Sequence, residues 1–150
     1  MPHLLRVSEA ASLALHASAL LAAAENKYLL TRGKMANFLN VSEAHLTKVL
    51  QRLGKLGLVR SVRGPTGGFR LEKPAEEISL LEIYEAIEGP VSKESCLLRE
   101  KVCLGPECVL GDLLKLVNED GKRYLAQTSL KTVSETSGKR LLKQMEKATK

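Results

Sequence analysis

The stretch from Ser42 to Leu71, SEAHLTKVLQRLGKLGLVRSVRGPTGGFRL, constrains the fold more than any other part of the chain. Ser42 carries a hydroxyl suited to accept from the free backbone N–H groups that open a helix. Leu46, Val49, Leu50 and Leu53 then recur at helical spacing, which leaves His45, Thr47, Lys48, Gln51 and Arg52 on the other face. Gly57 stops the helix, Leu58 to Val62 has strand composition, and Arg63-Gly64-Pro65-Thr66-Gly67-Gly68 is a turn from which Phe69-Arg70-Leu71 returns. A helix followed by a basic hairpin is the winged helix-turn-helix arrangement.

Charge is concentrated in the same stretch. Lys48, Arg52, Lys55, Arg60, Arg63 and Arg70 stand there against Glu43 alone, in a chain whose net charge is only +6. A solvated helix and an ordinary hairpin also carry charge, but a stable core has no use for Arg63 at the base of a turn with three glycines and a proline. A wing that presses its backbone on a phosphate, or dips an arginine into a narrow minor groove, does. The expected partner is double-stranded DNA, contacted by Ser42, Arg52, Arg60, Arg63, Thr66 and Gly67.

The preceding residues supply the rest of such a unit. Val7 to Ala24 is Ala- and Leu-rich, with Ser8 as a cap and Glu9 in the first turn, where a carboxylate suits the helix dipole. Tyr28 to Leu30 is expected to be extended and to pair with the wing. Thr31 caps a helix from Arg32 to Leu39, and Asn40-Val41 turns the chain into the recognition helix. Aromatics make up 3% of the residues and Trp is absent, so the core must be aliphatic and rich in helix.

After an acidic connector containing Pro74, Ile78 to Gly89 reads as an amphipathic helix with Ile78, Leu80, Leu81, Ile83, Ala86 and Ile87 on its apolar side. Val109 to Gln127 reads as a long helix weakened by Gly111 and Gly121, and Ser129 to Glu135 as a short closing helix. Ser137 to Lys150, with five cations against Glu146, reads as a flexible or loosely helical basic tail, either solubilising or adding nonspecific DNA affinity. The expected division is 1–90 for the winged unit, 91–108 for a cysteine loop, 109–136 for the long helix and closing segment, and 137–150 for the tail.

All three cysteines, Cys96, Cys103 and Cys108, lie in that loop in C-x6-C-x4-C spacing. An odd count argues against a disulfide framework. Three thiolates on one loop can wrap an iron-sulfur cluster or a zinc ion, although the close C-x2-4-C pairs of structural zinc are missing. Spacing alone leaves a metal site, redox-active thiols and incidental cysteines open.

The runs RGPTGGFRL and ISLLEIYEAIEGP, followed by the three cysteines, resemble the IscR/NsrR-type family of winged helix-turn-helix iron-sulfur transcription regulators, over roughly Val7 to Glu135. The resemblance implies a mainly α fold with a small β-wing plus a long dimerisation helix. It also implies a homodimer on a palindromic operator, acting as a repressor in response to redox state, nitric oxide or iron-sulfur status. A dimer of this kind places two recognition helices about 34 Å apart, one turn of DNA. On each of those helices the resemblance implies Glu43, His45, Thr47 and Lys48 as further DNA contacts, two of them with competing structural roles: Glu43 can close a helix cap, and His45 can pack against the preceding helix. The implied cofactor is a 2Fe-2S or 4Fe-4S cluster on Cys96, Cys103 and Cys108. Where some members place a histidine three residues after the last cysteine this chain has Gly111, so the implied fourth ligand is Glu9, with Asp112, Glu107 and His3 as alternatives. The uneven cysteine spacing departs from the family's more regular gaps, and Thr47 stands where a member can carry a discriminating acid.

Catalysis is not expected: there is no Ser-His-Asp order, phosphate loop or HExxH, and Glu82, Glu85 and Glu88 make a solvated helix face. No apolar run is long enough to span a bilayer, and Arg6 and Glu9 interrupt the N-terminal region, so the expected compartment is the cytoplasm. Two other readings stay open at this point: a winged regulator whose cysteines act as a direct thiol or zinc sensor, and a protein-binding module that keeps the fold.

Overall fold

The computed structural model describes residues 7–25, 27–91, 96–98, 100, 102 and 108–148. Helices α1 (Glu9–Ala23), α2 (Arg32–Leu39) and α3 (Glu43–Lys55) precede an antiparallel ribbon of β1 (Val59–Val62) and β2 (Gly68–Leu71). Helices α4 (Leu80–Glu88), α5 (Val109–Gln127), α6 (Leu130–Val133) and α7 (Lys139–Ala148) follow. This is a winged helix-turn-helix, mainly α with a small wing.

Helix α1 is the axis of the core. Ser8 caps it, its hydroxyl accepting from the Ala11 N–H at 3.0 Å. Ala11, Ala14, Ala17 and Leu20 are fully buried, and small side chains on several faces let α3, α4, α6 and α7 all approach. Leu46, Val49, Leu50 and Leu53 of α3 and Met35 and Ala36 of α2 close the core from the helix-turn-helix side. The α2–α3 turn is made at Asn40, in the left-handed region at φ 53°, which asparagine tolerates better than most side chains.

Helix α4 starts two residues later than its sequence pattern suggests. Ser79 and Glu82 form a reciprocal capping box, so Ile78 lies outside the helix as a buried extended residue. Its carbonyl accepts from Leu130 N–H at 2.8 Å, while Leu80 N–H donates to the Thr128 carbonyl at 2.9 Å. This short bridge fixes the C-terminal end of α5 to the start of α4.

The rest of α5 stands proud of the core. It runs unbroken through Gly111 and Gly121, and Leu110, Leu113, Leu116 and Tyr124 are all exposed.

Residues 137–150 were expected as a flexible or loosely helical tail; of the two, the described residues are helical, and the helix is docked rather than loose. Lys139–Ala148 is a helix that seats Leu142 and Met145 in the core, at 3% and 2% exposure. The Tyr28 hydroxyl reaches the Glu146 carboxylate and holds it to the body. Two apolar anchors one turn apart suffice to dock an otherwise charged helix. No helix among the described residues is long and apolar enough to cross a membrane.

Candidate nucleic-acid interface and cysteine segment

The recognition helix is built as its sequence suggests, but several of its polar groups are already engaged. Ser42 Oγ accepts from the His45 N–H at 3.1 Å, so this residue is the helix cap. Thr47 Oγ1 donates to the Glu43 carbonyl at 2.6 Å, which turns its hydroxyl onto the backbone. The Glu43 carboxylate accepts from Arg32 Nε at 2.6 Å and clamps α3 to α2. No sequence signal points to Arg32, because it lies on a different element from Glu43. His45 Nδ1 sits 3.8 Å from the Glu9 carboxylate, linking the first turns of α3 and α1.

Arg52 is exposed but has a partner within the protein. Its guanidinium donates to the Ile87 carbonyl at 3.1 Å, satisfying an open acceptor at the C-terminal end of α4. That bond ties α3 to α4 and gives the exposed Arg52 a structural role beside the DNA contact expected of it. Lys48 is exposed and makes no ion pair among the described residues.

The wing pairs Val59 with Leu71, Arg60 with Arg70, Ser61 with Phe69 and Val62 with Gly68. Val59 and Leu71 are buried, and Phe69 is bridged to Leu30 by N–H···O bonds of 3.2 and 2.8 Å, so the extended Tyr28 to Leu30 segment pairs with the wing as expected. Arg60 lies 3.6 Å from Glu72, which offsets part of its repulsion from Arg70 directly opposite.

The turn needs its glycines. A Cβ on Gly67 would sit 2.3 Å from the Val62 carbonyl oxygen, and one on Gly68 would sit 2.7 Å from that of Leu30. The result is a narrow tip from which Arg63, Pro65 and Thr66 project into solvent.

Cys108 caps α5. Its Sγ accepts from the Gly111 N–H at 3.4 Å, and its own carbonyl accepts from Asp112 N–H at 2.8 Å. Cys96 and Cys108 are half-buried free thiols. Cys103, Glu107 and His3 lie outside the described residues, and among the described residues no three potential metal ligands converge. The donor chemistry suits a soft metal centre: thiols on one segment, one receiving a backbone N–H as ligating sulfurs commonly do. Glu9, at the start of α1, is largely exposed, at 79%.

Comparison with known proteins decides the family. The Rrf2 model, described as an iron-dependent transcriptional regulator, matches residues 7–136. The chain belongs to the Rrf2 family. Its relatives there are transcriptional regulators and not enzymes.

Among curated Rrf2-type relatives, NsrR of Halalkalibacterium halodurans is 37% identical over 100 residues, 65% of this chain and 68% of that protein. NsrR of Shouchella clausii is 40% identical over 83 residues, 54% of this chain and 56% of that protein. The matched region thus spans 56% and 68% of the length of these two relatives. Among solved structures, CymR of B. subtilis, the global cysteine regulator, superposes with a TM-score of 0.77 at 25% identity, covering 89% of this chain and 99% of that one. IscR of T. potens shares the fold with a TM-score of 0.69 at 23% identity, covering 97% of this chain and 92% of that one. The Rrf2 match ends before α7.

Proposed function

We propose that this Rrf2 protein is a dimeric, cytoplasmic DNA-binding regulator, acting as a repressor on a palindromic operator, whose grip depends on an iron-sulfur cluster held by Cys96, Cys103 and Cys108. The observation that carries the reading is the position of Cys108. It is the cap of α5, the helix whose apolar stripe is left bare in the single chain. Leu110, Leu113 and Leu116 on that stripe are the surface for a second copy, which would set two α3 helices about one DNA turn apart.

When bound, a 2Fe-2S or 4Fe-4S cluster supplies a redox-labile crosslink within the cysteine segment. The chain's own groups do the rest. Cys108 fixes where α5 begins, and the Ile78–Leu130 bridge fixes where it ends. Whatever orders or releases the thiols therefore acts on one end of the dimer helix while the other stays anchored to α4, and α4 is tied to α3 through Arg52. Glu9 is assigned as the exchangeable oxygen ligand. Its carboxylate lies beside His45, so a change in its bonding is felt in the first turn of the recognition helix. Lys48, Arg63, Thr66 and Gly67 supply the direct DNA contacts, and Ser42 and Glu43 fix the start of α3.

A second reading is favoured by the likeness to CymR: the same thiols act as direct sensors without iron, and a solved structure of Staphylococcus aureus CymR is of an oxidised form. Iron and sulfide assays on anaerobically purified wild type and Cys108→Ser, beside selection of bound duplexes from a random pool, separate the two. A palindromic consensus with stoichiometric iron and sulfide in wild type alone supports the cluster. A palindrome bound by iron-free protein supports the thiol sensor.

A further inference from the structure

Beside the helix-turn-helix, a cleft of about 710 Å³ opens between α7 and the segment leading into α2. Its floor is apolar, from Leu29 and Leu30, and its rim carries Lys34, Lys143 and Lys147. The one acid on α7, Glu146, is turned onto the Tyr28 hydroxyl. The three lysines are exposed and make no ion pair among the described residues. They are also held in place, because Leu142 and Met145 anchor the helix that carries two of them.

The position of this cationic rim gives it a partner. Lys34 is in the first turn of α2, the helix that in a helix-turn-helix crosses the DNA backbone, while α3 enters the groove. Lys143 and Lys147 lie one helical turn apart, roughly 6 Å along the axis, and line the same cleft as Lys34, on a helix that packs against α2. Lysine ammonium groups are point charges with no planar fork, suited to phosphate and poor at reading base edges.

We propose that Lys34, Lys143 and Lys147 form a second phosphate-binding platform that takes the sugar-phosphate backbone of the duplex flanking each operator half-site. It rests on the DNA-binding reading above and extends it beyond the Rrf2 match, since α7 follows residue 136. The platform adds affinity without sequence preference, and only when the duplex is long enough to reach it.

The test uses the full chain and its selected operator in two lengths, the core palindrome and the same palindrome with about one extra turn on each side. In K143Q/K147Q, affinity for the long duplex falls on the order of tenfold, the salt slope drops by about one per lysine, and affinity for the core duplex is unchanged. K34Q shows the same pattern in smaller degree and does not touch α7. K131Q/K139Q removes equal charge outside the cleft and leaves the length dependence intact. Wild-type operator binding whose gain from the flanks is the same in K143Q/K147Q and K34Q overturns this proposal alone, as does an equal loss on both duplexes. A wild type that binds no duplex overturns the DNA reading with it. Circular dichroism of each variant establishes that the helix content is retained.

Discussion

The Glu9 carboxylate lies 3.8 Å from His45 Nδ1, which brings the first turn of the central helix to the first turn of the recognition helix. Because Glu9 is largely exposed, the pair contributes at most about 1 kcal/mol. Glu9→Ala is therefore expected to melt within a few degrees of wild type. Its defect should appear in regulation, as an operator affinity that no longer differs between anaerobic and nitric-oxide-treated protein. Thermal melts beside anaerobic gel shifts check both halves.

The wing should be more sensitive to one methyl group than to loss of a side chain at its tip. In Gly67→Ala the new Cβ meets the Val62 carbonyl oxygen at 2.3 Å, so the turn must open, at a cost of about 1–3 kcal/mol. Melting falls by several degrees and operator binding is lost. Thr66→Ala, at an exposed tip position, keeps the wild-type melting temperature. Denaturant melts of the two variants make the comparison.

Arg52 and Lys48, both basic residues of α3, should behave oppositely. Arg52→Ala removes a charge-assisted bond to the Ile87 carbonyl and destabilises the protein by about 1–3 kcal/mol, with little change in the salt slope of DNA binding. Lys48→Ala leaves stability near wild type but lowers the salt slope by about 1. Urea melts and salt titrations give the two readouts.

This contrast marks what could be read from the sequence. The helix-turn-helix and wing were legible because local chemistry settles them: Ser42 and Thr31 as caps, the four buried aliphatics of α3 at helical spacing, and glycines where no Cβ fits. The full span of α5 was legible for the same reason. The role of Arg52 was not, since its partner is a backbone carbonyl 35 residues away and a basic side chain on a basic helix reads as DNA-facing. The docking of helix α7 was hidden because four cations obscured two anchors, Leu142 and Met145, whose burial depends on α1 being present. The Arg32–Glu43 clamp likewise exists only once α2 and α3 have packed.

The α5 stripe predicts assembly. Leu113→Glu combined with Leu116→Glu changes two exposed side chains and should shift the stability of the single chain by no more than about 0.5 kcal/mol. Sedimentation should show a monomer where wild type is a dimer, and operator binding should fall by about two orders of magnitude, because a single half-site contact remains.

Docking of α7 should depend on alkaline pH. Burial of the Tyr28 phenol, followed by its hydrogen bond to Glu146 and the charge of that carboxylate, pushes its pKa from 10.0 to about 12. A pKa raised in the folded state stabilises fully below pH 10 and is lost as pH climbs through 12. Tyr28 is 45% exposed, so solvent screening keeps the contribution to roughly 1 kcal/mol or less. Wild type should lose stability relative to Tyr28→Phe between pH 10 and 12, and the two should run parallel below that window.

Fluorescence anisotropy with the selected operator and a scrambled duplex, on anaerobic iron-loaded protein before and after nitric oxide, tests most directly whether the cysteine segment governs the DNA grip. Iron-loaded protein should prefer the operator by tenfold or more, and that preference should fall by at least about tenfold, a coupling of about 1.4 kcal/mol, once iron and sulfide are released. Equal affinity for both duplexes in the iron-loaded state, or an operator preference that nitric oxide leaves untouched, would contradict it.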